Sequence, residues 1–253
     1  MSTPVGLIPL DKLAEYKAAC SGTWTAMLLA LLTITTFVIG LATPPRSGPF
    51  CTGTCIAYPY SDAAQFVPGD FIWMVPGILL APIFVVITVC IHACAQKYAQ
   101  HWTLLAVCCA SVAAAIITSD YFIQLEVVQP SLSRAETIGV ALFSQYNPHG
   151  VFIALEDLGY LVLSAAFFFA GAAFPLVRGI SAALRCSFVA AAVLSFGTFA
   201  AMSLAYRLEI GFSFEIMVIT IDWTTLIVSS VLLAIHFRRL ARRLEAGVGQ
   251  AHV

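Results

Sequence analysis

The chain has 253 residues, 60% hydrophobic and only 10% charged, with a formal net charge of -1. Soluble domains carry about 25% charged residues, so too little polar surface exists here to cover a water-soluble core. No basic groove or aromatic-basic ladder accompanies the near-neutral charge, which excludes a nucleic-acid partner.

A helix needs about 20 mostly apolar residues to cross roughly 30 Å of hydrocarbon. Six stretches meet that requirement, at about residues 23–42, 71–95, 102–125, 151–174, 186–206 and 216–237. They predict an all-α fold, a polytopic transmembrane helix bundle forming a single integral membrane domain over residues 1–253. Ahead of the first span, Leu7, Ile8, Leu10 and Leu13 beside Lys12 and Lys17 read as a short helix lying on the membrane surface. Gly40-Leu41-Ala42 has the small-x-small form of a signal cleavage site. The apolar run before it exceeds the roughly 7–15 residues of a signal core, so it reads as a retained span.

The first connector holds Cys51 and Cys55 around Gly53. On an oxidising face of the membrane this pair is expected to form a disulfide. No third or fourth thiolate or imidazole stands nearby to complete a metal site. The other six cysteines fall in or near helices and read as small apolar contacts. In the second span, Pro76-Gly77 and Pro82 predict a bend that opens space between neighbouring helices. Trp24, Trp73 and Trp102 lie at span ends, where an aromatic belt is expected. The long connector 130–150 carries Ile138, Val140, Leu142 and Phe143 before Gln145-Tyr146-Asn147-Pro148-His149-Gly150. It reads either as lying on the outer interface or as folding inward as a lid.

Orientation follows from the lysines and arginines flanking the spans. With the N-terminus inside, Lys12, Lys17, Lys97, Arg178, Arg185, Arg238, Arg239, Arg242 and Arg243 face the cytoplasm, and only Arg46, Arg134 and Arg207 face out. This predicts both termini in the cytoplasm, in a plasma or inner membrane. The four C-terminal arginines read as an anchor on anionic membrane lipid.

Charged groups inside a membrane cost about 2.5–3.5 kcal/mol each on insertion scales, which makes those retained there candidates for function. Asp120, Glu156, Asp157 and Asp222 are of this kind, on three helices and at similar depth in the outer half. His149, Ile153, Glu156 and Tyr160 share one helical face, while Asp157 shares another with Ser164. Glu215, Asp222, Ser229 and His236 recur every seven residues along the sixth span and predict a polar stripe facing the bundle interior. Trp223 lies beside Asp222, too deep for a belt residue.

These residues predict a pocket between the third, fourth and sixth spans for a lipophilic small molecule. Asp120 and Glu156 are the candidate acid and base, His149 an additional proton acceptor, and Asp157, Tyr160, Asp222 and Trp223 the candidate ligand-binding wall. Such a set suits acid/base isomerisation or cyclisation of a polyene or sterol-like substrate. The alternative is a proton- or cation-coupled transporter using the sixth-span stripe, although no inverted repeat supports it. A third reading is an assembly subunit whose Cys51–Cys55 loop meets a partner; a homo-oligomer is compatible with all three. No cofactor or metal is expected, because no glycine-rich phosphate loop, zinc motif or nucleophile elbow occurs. His92 and His236, near the inner ends of their spans, read as interfacial or hydrogen-bonded rather than haem-ligating.

Overall fold

Within hydrocarbon every backbone N–H and C=O must find its partner inside the segment, which leaves helices as the solution for these apolar runs. The computed structural model describes residues 10–207 and 209–250, and among these no strand occurs. Six helices are long and apolar enough to span a membrane. They are α1 (Leu10–Ala42), α2 (Met74–Ala93), α3 (Gln100–Ile123), α4 (Val151–Ala170), α5 (Ile180–Tyr206) and α6 (Gly211–Gln250). Each packs on the next in chain order, α6 closes back onto α1, and α4 also reaches α6 through the middle of the bundle.

Small residues set the close crossings, as expected where helices associate by packing rather than by escape from water. On α3, Ala106, Ala110 and Ala113 are buried. On α4, Gly159 lies so close to α3 that a Cβ there would stand 2.6 Å from Cγ1 of Ile117. On α2, Pro76 falls in the first turn, where a missing N–H costs little, and Pro82 is interior. Gly77 beside it leaves room for the Tyr121 ring, whose nearest atom would be 3.1 Å from a Cβ.

The surface helix predicted ahead of the first span is replaced over its described part by the span itself. From Leu10 the chain runs as one helix to Ala42, without a break; Leu7 and Ile8 lie outside the described residues. No breaker separates the two pieces, and Gly22 provides a contact instead, seated against the Phe237 ring with 2.8 Å to a Cβ built there. At 1.5 Å per residue, helices of 33 and 40 residues reach about 50 and 60 Å, well beyond the roughly 30 Å of hydrocarbon. The N-terminal part of α1 and the C-terminal part of α6, with its four arginines, therefore lie side by side at one end of the bundle.

At the opposite end, the connector after α3 turns inward. A π-helical turn over Gln124–Val128 and a short helix Gln129–Ser133 extend α3, and the turn Val140–Phe143 brings the chain back. Gln124 Nε2 donates to the Phe143 carbonyl at 2.6 Å and holds the return in place. Ile138, at the tip, is fully exposed.

Candidate functional site

Four buried polar side chains from α3, α4 and α6 are joined by hydrogen bonds. Glu156 and Tyr160 stand one turn apart on α4, so both can meet one partner on α3. That partner is Tyr121, whose hydroxyl lies 2.6 Å from Glu156 Oε1 and 2.8 Å from the Tyr160 hydroxyl. From α6, Trp223 Nε1 donates to the Tyr160 hydroxyl at 2.8 Å. An indole N–H can only donate. Tyr121 gives its single proton to Glu156, so the Tyr160 hydroxyl must donate to Tyr121 while it accepts from Trp223. Oε1 of Glu156 is thus engaged by Tyr121, and its carboxyl is also in hydrogen-bonding contact with that of Glu215 on α6.

Glu156 also forms part of the wall of a cavity of about 320 Å³ between the C-terminal end of α1 and the N-terminal end of α6. That size lies at the lower end of the roughly 300–1,000 Å³ of small-molecule sites. Phe37, Trp73, Ile219 and Trp223 supply its apolar walls, and Glu215 on α6 lines it beside Glu156, in hydrogen-bonding contact. Leu41 and Ile216 border the cavity and are also exposed on the outside of the bundle. The cavity thus opens sideways between α1 and α6, which are pressed together at Gly22 and Phe237 but apart here.

Connectors close the top. Asp70, just before α2, is 6% exposed and accepts from Arg46 Nε at 3.2 Å and from the Tyr146 hydroxyl at 2.8 Å. The Arg46 guanidinium lies 3.8 Å over the Phe66 ring, and the Ile56 N–H donates to the Arg46 carbonyl at 2.7 Å. Burial, then the bond to Asp70, push the Tyr146 phenol above the ordinary tyrosine range. It keeps its proton, and so its bond to Asp70, at every pH at which an ordinary tyrosine does. Arg46, Asp70, Gln145 and Tyr146 all line the cavity. The 130–150 connector therefore reaches over the site from the far side of the bundle. Gly48 holds a turn at the mouth with φ +73, a conformation open to glycine, and a Cβ there would stand 2.5 Å from the Phe212 ring.

The residues singled out from sequence divide between this cavity and its surroundings. Glu156 and Trp223 line it, and Tyr160 is tied to both through hydrogen bonds. Asp120 is 1% exposed, close enough to Glu156 to feel its charge, but outside the cavity wall, with Oδ2 unpartnered. Asp157, half-buried, is likewise outside the wall and leaves Oδ1 without a partner. Asp222 forms a separate node that accepts from Ser164 Oγ at 2.7 Å and from Ser195 Oγ at 3.4 Å. His149 is exposed on the connector before α4, 3.7 Å from Glu209, and away from the other acids. Of the α6 stripe, Asp222 and Ser229 are buried, Glu215 lines the cavity, and His236 packs edge-on to Phe174 at 5.3 Å. His92 is bonded to Thr103 Oγ1 at 2.8 Å. Cys51 and Cys55 form a disulfide with Cα atoms 5.9 Å apart.

Four contributors carried no signal of this role in the sequence. Tyr121 is a donor to Glu156 rather than a local partner for Asp120. Trp73 is a cavity wall, at 5.1 Å from Tyr121 and 6.4 Å from Trp223 between ring centroids, and not a belt residue. Arg46 and Asp70 sit in connectors. Among the described residues, no group of three or more His, Cys, Asp or Glu side chains is arranged to hold a metal ion.

Removing the Tyr121 hydroxyl breaks the chain at its centre. Tyr121→Phe is expected to cost about 1–2 kcal/mol, because Tyr160 loses its acceptor and Glu156 its donor in a buried setting. A thermal melt of the purified variant against wild type measures this; an unchanged melting temperature would show the bonds to be incidental.

The chain matches no protein-family model, no curated protein and no solved structure.

Proposed function

We propose that this membrane protein binds a lipophilic small molecule in the chamber between α1 and α6, with the polar end of the ligand at Glu156. The proposal places both termini in the cytoplasm and the chamber in the outer half of the bilayer. Nine of the twelve lysines and arginines flank the end opposite the chamber, in keeping with the positive-inside rule. A lateral opening suits a ligand that arrives through lipid. Apolar walls with a few convergent polar groups are the usual composition of such sites.

One observation carries this reading: a buried carboxyl, fixed by a hydrogen-bond chain and paired with a second carboxyl, Glu215, on the wall of a cavity. Two buried acids in contact, with no cation of their own, are expensive unless something binds them. Glu156 can exchange a proton with a bound substrate, which is what an acid/base isomerisation or cyclisation requires. Glu215, facing it, is the second proton-exchanging group. Asp120, Asp157 and Asp222 act through the packing and charge around that pair. The transport alternative draws on Thr225, Ser229 and Ser230, buried on α6 beyond Asp222, but they alternate with Leu226, Leu233 and Phe237 and no inverted repeat accompanies them.

The test is to purify wild type and Glu156→Gln in mild detergent and identify bound small molecules by mass spectrometry. Wild type is expected to carry a specific lipophilic compound that the folded variant loses. Only bulk lipid in both samples would overturn the reading. Ser229→Ala, in the inner half, is expected to leave ligand retention unchanged.

A further inference from the structure

Charge and ring geometry in the chamber bear on which lipophilic molecules fit it. The ionisable wall residues are Arg46, Asp70, Glu156 and Glu215. Arg46 is bonded to Asp70 and lies over Phe66, so the chamber's one cation and one of its acids are matched to each other. Glu156 and Glu215 are left facing each other without a cation from the wall. Around them stand aromatic faces. Trp73 and Trp223 meet at 59° with centroids 6.4 Å apart, and Phe37 meets Trp223 at 67° and 5.7 Å. Indole faces at an angle over a carboxylate form the arrangement that receives alkylated ammonium groups, because the negative ring faces and the carboxylate attract the same positive charge. A fatty acid or phosphate monoester would put its negative charge against Glu156 and Glu215.

Resting on the binding reading above, we infer that the ligand is a lipophilic organic cation, an alkylated amine or ammonium, whose head sits beside Trp73 and Trp223 against the Glu156–Glu215 pair. Its apolar part points along Leu41 and Ile216 toward the lateral opening. The positive charge supplies what the chamber wall lacks: a counter-charge for the Glu156–Glu215 pair, since Arg46 is held by Asp70. Both a free alkylamine and the trimethylammonium head of a choline lipid carry this chemistry.

The experiment uses the full chain in dodecyl maltoside, which has no ammonium group. Binding of octyltrimethylammonium, octanol and octanoate is followed by tryptophan fluorescence and native mass spectrometry. The cation is expected to bind at least about tenfold more tightly than octanol, a gap of roughly 1.4 kcal/mol, with octanoate weakest. Glu156→Gln is expected to erase that preference. Trp73→Leu, which leaves the hydrogen-bond chain intact, is expected to reduce it, so the assignment stays testable if the first variant does not fold. Competition by dihexanoyl-phosphatidylcholine identifies a lipid head group as the source, and its failure to compete identifies a free amine; either outcome supports the class. Equal binding of octanol and the cation would overturn the cation assignment and leave the lipophilic chamber standing. Absence of binding by all three would overturn both.

Discussion

Gly159→Leu is expected to be the most damaging single change in the bundle, lowering stability by about 3 kcal/mol or more. Overpacking a filled core commonly costs about 1–3 kcal/mol and more where nothing can yield. Here even a Cβ would lie 2.6 Å from Ile117 Cγ1, and Ile117 is itself 3% exposed on a helix fixed at both ends. A leucine must push α3 away from α4 at the level where Tyr121 reaches Glu156 and Tyr160. The variant is therefore expected to lose ligand retention along with thermal stability. Gly159→Ala should show a smaller form of the same defect, relieved in part by Ile117→Ala, which removes the clashing Cγ1, since touching residues are energetically coupled. Melting curves of the single and double variants in detergent measure this. Additive losses from Gly159→Ala and Ile117→Ala would show that the crossing has slack.

The second large effect is expected at the top of the chamber. Asp70→Ala removes the acceptor for both Arg46 and Tyr146, leaving a half-buried guanidinium and a buried phenol unmatched. Removing one member of a buried ion pair costs about 3–5 kcal/mol; with the Arg46 side chain 25% exposed, we expect about 3. The loss should be local in effect, because Asp70 is what ties the turn before α2 to the first connector and to the returning segment after α3. Protease cleavage within 130–150 is expected to accelerate, and the chamber to exchange ligand faster, while α-helix content by circular dichroism stays close to wild type. Unchanged cleavage would mean that the Gln124 bond to the Phe143 carbonyl alone holds the segment.

Hydropathy made the helices legible, because a run of about 20 apolar residues has few other uses. The start of α1 was not legible: surface and spanning helices share a composition over residues 10–18, and the decisive contact is between Gly22 and Phe237, more than two hundred positions apart. At the chamber, Glu156 and Trp223 stood out because polar and amphipathic groups deep in a span are costly. Arg46, Asp70 and Tyr146 did not, since charges in connectors are ordinary; their meaning lies in bonds across 24 and 76 residues that only the bundle creates. Trp73 shows the same limit from the other side. A tryptophan at a span end fits the belt in sequence, and only the position of Tyr121 and Trp223 turns it inward. Tyr121 and Glu156 lie 35 residues apart, on helices whose relative rotation no periodicity in either one specifies.

The fixed direction of the Trp223–Tyr160–Tyr121–Glu156 chain has a kinetic consequence. A proton moves along such a row only if every link can reverse, each oxygen receiving from one side and handing on to the other. The terminal indole has no lone pair to receive with, so the row is a dead-end wire. A proton that leaves Glu156 has no exit through Trp223. The routes left to it are Glu215, with which its carboxyl is paired, and the chamber that both acids line. The row thus closes one side of the carboxyl and turns its proton traffic toward the cavity.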